Sequence, residues 1–116
     1  MADNCIFCKI INKEIPNRTV YEDNDILAFH DINPSAKVHF LIIPKAHISS
    51  MAELEDQHQG VMGKIMTLAP KLAKQEGCID GFRLIINTGN HGRQEVPHIH
   101  AHVIGGEVLP GMIVRR

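Results

Sequence analysis

Apolar and polar positions divide this chain into short, differently patterned segments. Cys5 to Ile11 carries apolar residues at 6, 7, 10 and 11, the three-and-four spacing of one or two helical turns laid against a core. Pro16 closes that segment. Thr19 to Glu22 and Ile26 to Asp31 are short runs of branched and aromatic residues separated by Asp23-Asn24-Asp25, which predicts a β-hairpin. After a turn at Asn33-Pro34-Ser35, Val38 to Ile43 is nearly all apolar and stops at Pro44. Such a run is expected of a central strand covered on both faces, and it carries His39 inside.

From Glu53 to Glu76 the period changes to that of a helix. Leu54, Val61, Met62, Ile65, Met66, Leu68, Ala69, Leu72 and Ala73 trace one broad apolar stripe, with Ser50 and Glu53 spaced as a capping box at its start. Pro70 interrupts it. An interior proline costs a helix hydrogen bond and about 3 kcal/mol, so a kink or break is expected near Thr67. Gly77 and Gly81 bracket the exit. Phe82 to Asn87 is another strand, and Thr88 to Gln94 is a loop leading into a segment where His98, His100 and His102 alternate with Ile99, Ala101 and Val103. That period of two predicts a strand from His98 to Ile104, ended by Gly105-Gly106, with three imidazoles on one side. It is expected to pair antiparallel with the strand before it. The order of elements predicts an α+β fold: a mainly antiparallel sheet of about five strands, one long helix on one face and a short N-terminal helix.

At 116 residues the chain fits one domain, residues 1–116, with a single core. Hydrophobic content of 44% and charged content of 22% are those of a globular protein, and a net charge of -1 offers no broad attraction to nucleic acid. No apolar stretch approaches the ~20 residues of a membrane span, and Met1-Ala2-Asp3-Asn4 has neither a basic flank nor an apolar run. A cytoplasmic protein without membrane or nucleic-acid partners is therefore expected. Its three cysteines do not form a disulfide framework, and Cys5-x-x-Cys8 points to metal or redox chemistry.

The histidine row must divide its roles. Same-face neighbours on a strand lie ~6.5 to 7 Å apart, so two adjacent imidazoles can share one metal but all three cannot. In one division the central His100 is a nucleophile, with its neighbours donating hydrogen bonds or passing protons. In the other a His-x-His pair binds a catalytic metal.

Gln94-Glu95-Val96-Pro97-His98-Ile99-His100-Ala101-His102-Val103-Ile104-Gly105-Gly106 resembles the signature of the histidine triad family. Cys5-Ile-Phe-Cys8-Lys-Ile-Ile, Ala28-Phe29-His30-Asp31-Ile32-Asn33-Pro34, His39-Phe-Leu-Ile-Ile-Pro44-Lys45-Ala46-His47-Ile48 and Arg83-Leu-Ile-Ile-Asn87-Thr88-Gly89 look like blocks of its nucleotide-binding (Hint) branch, in the same order. The likeness covers residues 5 to about 106. It implies a nucleotide-binding domain that pairs as a homodimer and cleaves purine nucleoside phosphoramidates at the α-phosphorus. On that resemblance His100 is the nucleophile, His102 the donor to the phosphoryl oxygens and His39 a supporting histidine behind the nucleophile. Asp31 corresponds to the ribose partner and Ile32 to the side chain against which the base lies, while Asn87, Arg93, Gln94 and Glu95 surround the phosphate. His98, the first of the triad, stands beside the nucleophile, and in members with the cysteine pair it completes a structural zinc site with Cys5, Cys8 and His47. Glu95 replaces a serine of the eukaryotic members, and the ending from Leu109 to Arg116 lacks their tryptophan-bearing tail. The competing readings are a nucleotide-binding regulatory protein with weak catalysis, a dinucleoside polyphosphate hydrolase and a His-x-His metalloenzyme.

Overall fold

The computed structural model describes residues 4–113, so the expectations resting on residues 1–3 and 114–116 lie outside the described residues. Five strands form one antiparallel sheet: β1 (Thr19–Glu22), β2 (Ile26–His30), β3 (Val38–Pro44), β4 (Phe82–Ile85) and β5 (Ala101–Gly105), in the order β1-β2-β3-β5-β4. A short helix, α1 (Ile6–Ile11), and a long one, α2 (Gln59–Gln75), complete the expected α+β architecture. Asp23 pins the β1–β2 turn, its Oδ1 accepting from the backbone N–H of Asp25 and Ile26 at 2.8 and 2.9 Å.

The period of two sorts side chains between two cores. Even positions of β2 and β3 (Ile26, Ala28, Phe40, Ile42), with Ala101 and Val103 of β5, pack under Ile65, Ala69, Leu72 and Ala73 of α2. Odd positions Leu27, Phe29, Leu41 and Ile43 meet Cys5, Phe7, Cys8 and Ile10 on the opposite face. Both faces of the two central strands are thus covered, which is why their sequences read as unbroken apolar runs. Each fully buried Ile, Leu or Phe contributes about 1.5–3 kcal/mol of burial free energy, so this double core holds the sheet without disulfides.

Four expectations are corrected. The segment from Glu53 is not yet the long helix: Met51–Glu53 and Asp56–His58 are separate 3₁₀ turns, and Leu54 between them is extended (φ -69°, ψ 139°). Ser50 caps the first turn through Ala52 N–H at 3.1 Å, and Glu55 begins the second by donating its N–H to His58 Nδ1 at 2.9 Å. Next, of the kink or break expected near Thr67, the break does not occur, since α2 runs on through Pro70. The carbonyl that loses its donor belongs to Met66, an exposed residue, so water can serve it. Third, β4 ends at Ile85, not Asn87. Last, β5 begins at Ala101, not His98. Pro97 has no N–H, and those of His98 and Ile99 go to the carbonyls of Val96 (2.8 Å) and Ile48 (2.6 Å), so the ladder to β3 starts only where Ala101 faces Ile42. Among the described residues, no helix is long and apolar enough to cross a membrane.

Candidate active site and metal cluster

The sheet face beneath α1 carries the chemistry. His102 stands opposite Leu41 on β3, so it shares the odd-numbered face with His39, and His100 lies one step before the strand begins. The rings of His100 and His102 are 5.0 Å apart, those of His39 and His102 5.2 Å. Hydrogen bonds assign their tautomers. His100 Nδ1–H donates to the carbonyl of His98 at 2.8 Å, leaving Nε2 bare. Ser35 N–H donates to His39 Nδ1 at 2.9 Å, so the proton of His39 sits on Nε2 and is given to His102 Nδ1 at 2.9 Å. His102 then carries its own proton on Nε2. A bare imidazole nitrogen and an imidazole N–H are thereby set side by side.

Burial keeps these rings neutral. Desolvation lowers His39 and His100 below the ordinary histidine value, and it lowers His102 to about 4, with His100 and His39 pushing the same way and Asp31 opposing. A native state that resists protonation binds fewer protons than the unfolded chain between those values, so stability rises with pH across that window. The melting temperature should therefore fall steadily as pH is lowered from about 6.5 towards 4. A melting temperature independent of pH over that range, measured by calorimetry, would contradict the buried neutral rings.

His100 and His102 open into a cavity of about 1030 Å³, where Asp31, Ile32, Asn87, Arg93 and Glu95 also contribute to the lining. Its apolar wall comes from Ile6, Phe7 and Ile10 of α1 with Phe29 and Leu41 of the sheet. Ile32 stands at the rim, 91% exposed. The 88–94 loop reaches the cavity through a tight turn: a Cβ at Gly92 would collide with the Thr88 backbone, and Arg93 follows at φ +61°. Gln94 does not line the cavity. Its amide fastens the loop instead, donating to the carbonyls of Ser49 and Val96 (2.7 and 2.9 Å) and accepting from Gly89 N–H at 3.1 Å. His39 likewise stays behind His102. Arg18 and His30, given no role by the sequence reading, both line the cavity, and His30 pairs with Glu76 at 3.4 Å. Nothing in their spacing marks them. The backbone N–H of Ser35, which settles the tautomer chain, has no side-chain signature at all.

His98 leaves the row for another company. Its ring is fully buried and its Nδ1 lies 3.3 and 3.5 Å from the sulfurs of Cys5 and Cys8, while Cys8 Sγ is 3.3 Å from His47 Nδ1. All four ligand atoms fall within 4.8 Å of one another. A tetrahedral zinc with Zn–S about 2.3 Å and Zn–N about 2.0–2.1 Å has S···N edges of about 3.5 Å, so the donor set fits such an ion. His98 Nε2–H donates to the Pro44 carbonyl at 2.8 Å, which leaves Nδ1 as the free lone pair, the outer hydrogen bond typical of a metal-bound imidazole. Burial and then Cys5 push the Cys8 thiol up to about 11, the cost a bound cation would relieve. Asp31, His39 and His102 also cluster, but there the nitrogen of His39 that faces the others already carries the proton, so that trio is a hydrogen-bonded chain.

A family model described as "Scavenger mRNA decapping enzyme C-term binding" matches residues 4–112. The purine nucleoside phosphoramidase of Escherichia coli K12 is 46% identical over 117 aligned residues, covering 100% of this chain and 98% of that one. A "14 kDa zinc-binding protein" of Zea mays is 50% identical over 106 residues, 90% of this chain and 83% of its own. In structure, the HIT family hydrolase of Clostridium thermocellum superposes with a TM-score of 0.93 at 41% identity, over 98% of this chain and 100% of that one. The chain belongs to the histidine triad family. In this histidine triad protein the row is split by its surroundings, with His100 and His102 facing the cavity and His98 facing the cysteines. Phe7 joins the two groups, its ring 5.0 Å from His100 and 5.9 Å from His98.

Proposed function

We propose that this protein hydrolyses purine nucleoside 5′-phosphoramidates at the α-phosphorus through a nucleotidyl-histidine intermediate. The observation that carries the reading is the bare Nε2 of His100 beside the Nε2–H of His102 at the mouth of a nucleotide-sized cavity. Attack by His100 forms one P–N bond as the bond to the leaving amine breaks, the amine taking a proton as it departs. Water then opens the P–N bond to His100, releasing the nucleoside monophosphate and restoring the imidazole. His102 donates to the phosphoryl oxygens, where a fixed donor lowers the barrier as negative charge develops. Asp31 takes the ribose hydroxyls, Ile32 covers the base, and Asn87, Arg93 and Glu95 surround the phosphate. His39, His98 and Gln94 act one layer out, on ring tautomer, ring position and loop shape respectively. The test is to incubate the purified protein with adenosine 5′-phosphoramidate and with diadenosine polyphosphates. Release of AMP from the first, well above that from the second, is expected. Nucleotide binding without AMP release would favour a regulatory binding protein.

Cys5, Cys8, His47 and His98 are the residues that would hold a structural zinc, joining α1 to the segment that carries His100 and leaving no open coordination position. Free thiols at Cys5, Cys8 and Cys78 suit a reducing, cytoplasmic setting.

A homodimer is part of the same reading. β4 lies at the sheet edge with one side of Phe82–Ile85 unpaired among the described residues, and an exposed edge invites a second copy across a two-fold axis. Sedimentation at micromolar concentration should give twice the 12.9 kDa chain mass; a single species at the chain mass would rule the dimer out.

A further inference from the structure

The end of the cavity farthest from the histidines carries its own polarity. Cross-strand partners lead there in single steps: His102 on β5 faces Leu41 on β3, Leu41 faces Phe29 on β2, and Phe29 faces Thr19 on β1. Neighbouring strands lie about 4.8 Å apart, so Thr19 stands about 14 Å from His102 across the sheet. Asn17 and Arg18, just before Thr19, line the cavity at that end, past the apolar wall of Ile6, Ile10 and Phe29. Both offer donors. The Arg18 guanidinium has no acceptor atom, and among the described residues no carboxylate pairs with it. The Thr19 hydroxyl donates to Asn17 Oδ1 at 2.7 Å, which leaves the amide NH₂ of Asn17 for other partners. The neighbouring His30 imidazole is held by Glu76 at 3.4 Å. The acidic groups of the lining are elsewhere: Asp31 lies 3.4 Å from His39, and Glu95 belongs to the segment that leads into β5. Arg18 is itself exposed, but its carbonyl accepts from His30 N–H at 3.0 Å, so the guanidinium swings from an anchored backbone.

We infer that Arg18, with Asn17 beside it, reads the outer edge of the purine and favours a 6-oxo base, guanine or hypoxanthine, over adenine. The inference rests on the reading above, in which the cavity holds a purine nucleotide with its phosphorus at His100 and its ribose at Asp31. That placement lays the base along Ile6, Ile10 and Phe29 and carries its 6-position, remote from the glycosidic bond, towards β1. Guanine presents two acceptors there, O6 and N7, which match the fork of a guanidinium, whereas adenine presents N7 beside an N6 amino donor. Against adenine, one N–H of Arg18 faces another N–H. Two donors set face to face are both left unpaired, so discrimination comes as much from rejecting adenine as from attracting guanine. The contact is far from phosphorus and is made alike in the ground and transition states, so it acts on KM more than on kcat.

The test compares the 5′-phosphoramidates of guanosine, inosine, 7-deazaguanosine and adenosine, all with the same leaving amine. Inosine keeps O6 and N7 but lacks the 2-amino group, and 7-deazaguanosine keeps O6 but carries C–H in place of N7. In the native protein guanosine and inosine should exceed adenosine about tenfold in kcat/KM, mostly through KM, with 7-deazaguanosine between them. In Arg18→Ala the ratio of guanosine to adenosine should collapse to within about twofold, chiefly by loss on the guanosine side, while Arg18→Lys should keep part of the preference. A native ratio near one overturns the contact. So does a guanosine preference that survives Arg18→Ala, that inosine does not share, or that 7-deazaguanosine keeps in full. Titration with GMP, IMP and AMP reads the same contact without chemistry. An Arg18-dependent preference among these monophosphates, with no cleavage of any phosphoramidate, would overturn the proposed reaction and leave the contact standing. Cleavage of all four substrates with equal kcat/KM would do the reverse.

Discussion

Replacing His100 with glycine should cut turnover of an adenosine phosphoramidate by about 10⁴-fold or more while nucleotide affinity changes only about threefold. The imidazole that forms the covalent bond is lost, but the donors and the apolar wall that hold the nucleotide remain. His100 is 6% exposed and packs edge-on against Phe7 at 5.0 Å, so the variant also opens a small void and should melt somewhat lower. Affinity measured by titration with AMP separates that structural cost from the chemical one. With substrate labelled at the α-phosphorus, acid quenching should trap label on histidine in the native protein and none in the variant. Near-native turnover by His100→Gly, or a native protein that never takes up label, would remove His100 as nucleophile.

Stripping the metal should act on the opposite quantity. If Cys5, Cys8, His47 and His98 hold one zinc per chain, then chelation or Cys8→Ala removes an ion that ties α1 to the segment preceding β5, and a ligand bound only by the folded state stabilises it directly. A loss of about 3–5 kcal/mol is expected, a fall of about 10–20 °C in melting temperature for a chain of this size. Turnover at a temperature where the metal-free protein remains folded should drop by less than about tenfold, since the hydrogen bonds that set His100 and His102 come from backbone carbonyls and His39. Metal analysis of protein purified without chelator decides the first step. Less than about a tenth of an equivalent of zinc would end the assignment.

The histidine row shows how far periodicity reaches. Alternation with Ile99, Ala101 and Val103 was enough to place Ala101 and Val103 in the core and His102 on the other face. It could not show that His98 turns out of the ladder, because that depends on main-chain bonds to Val96 and Ile48 and on the missing N–H of Pro97. The same limit explains α2. An apolar stripe counts Leu54 as helical, whereas its extended backbone separates two capped turns. β3 was legible as a central strand because burial on both faces writes itself into every residue from Phe40 to Ile43. Asp31, Ile32 and Asn87, by contrast, sit in or beside turns with no periodic signal, and only likeness to a family singled them out. Gln94 is singled out by the same likeness, as part of the Arg93-Gln94-Glu95 segment, although its amide fastens the loop to Ser49 and Val96.

The two cores on either side of the sheet have a consequence for how such a protein can diverge. Along β2 and β3, Ile26, Ala28, Phe40 and Ile42 pack on the side of the long helix, while Leu27, Phe29, Leu41 and Ile43 share their space with Phe7 and the cysteine-bearing segment beside the histidines. Because consecutive residues of one strand point to opposite sides, a lineage can repack Ile26, Ala28, Phe40 and Ile42 against a new α2 without moving any atom that lines the cavity. Thermal robustness and substrate choice are thus written on interleaved residues of the same strands and can be altered separately, by drift on one parity and by selection on the other.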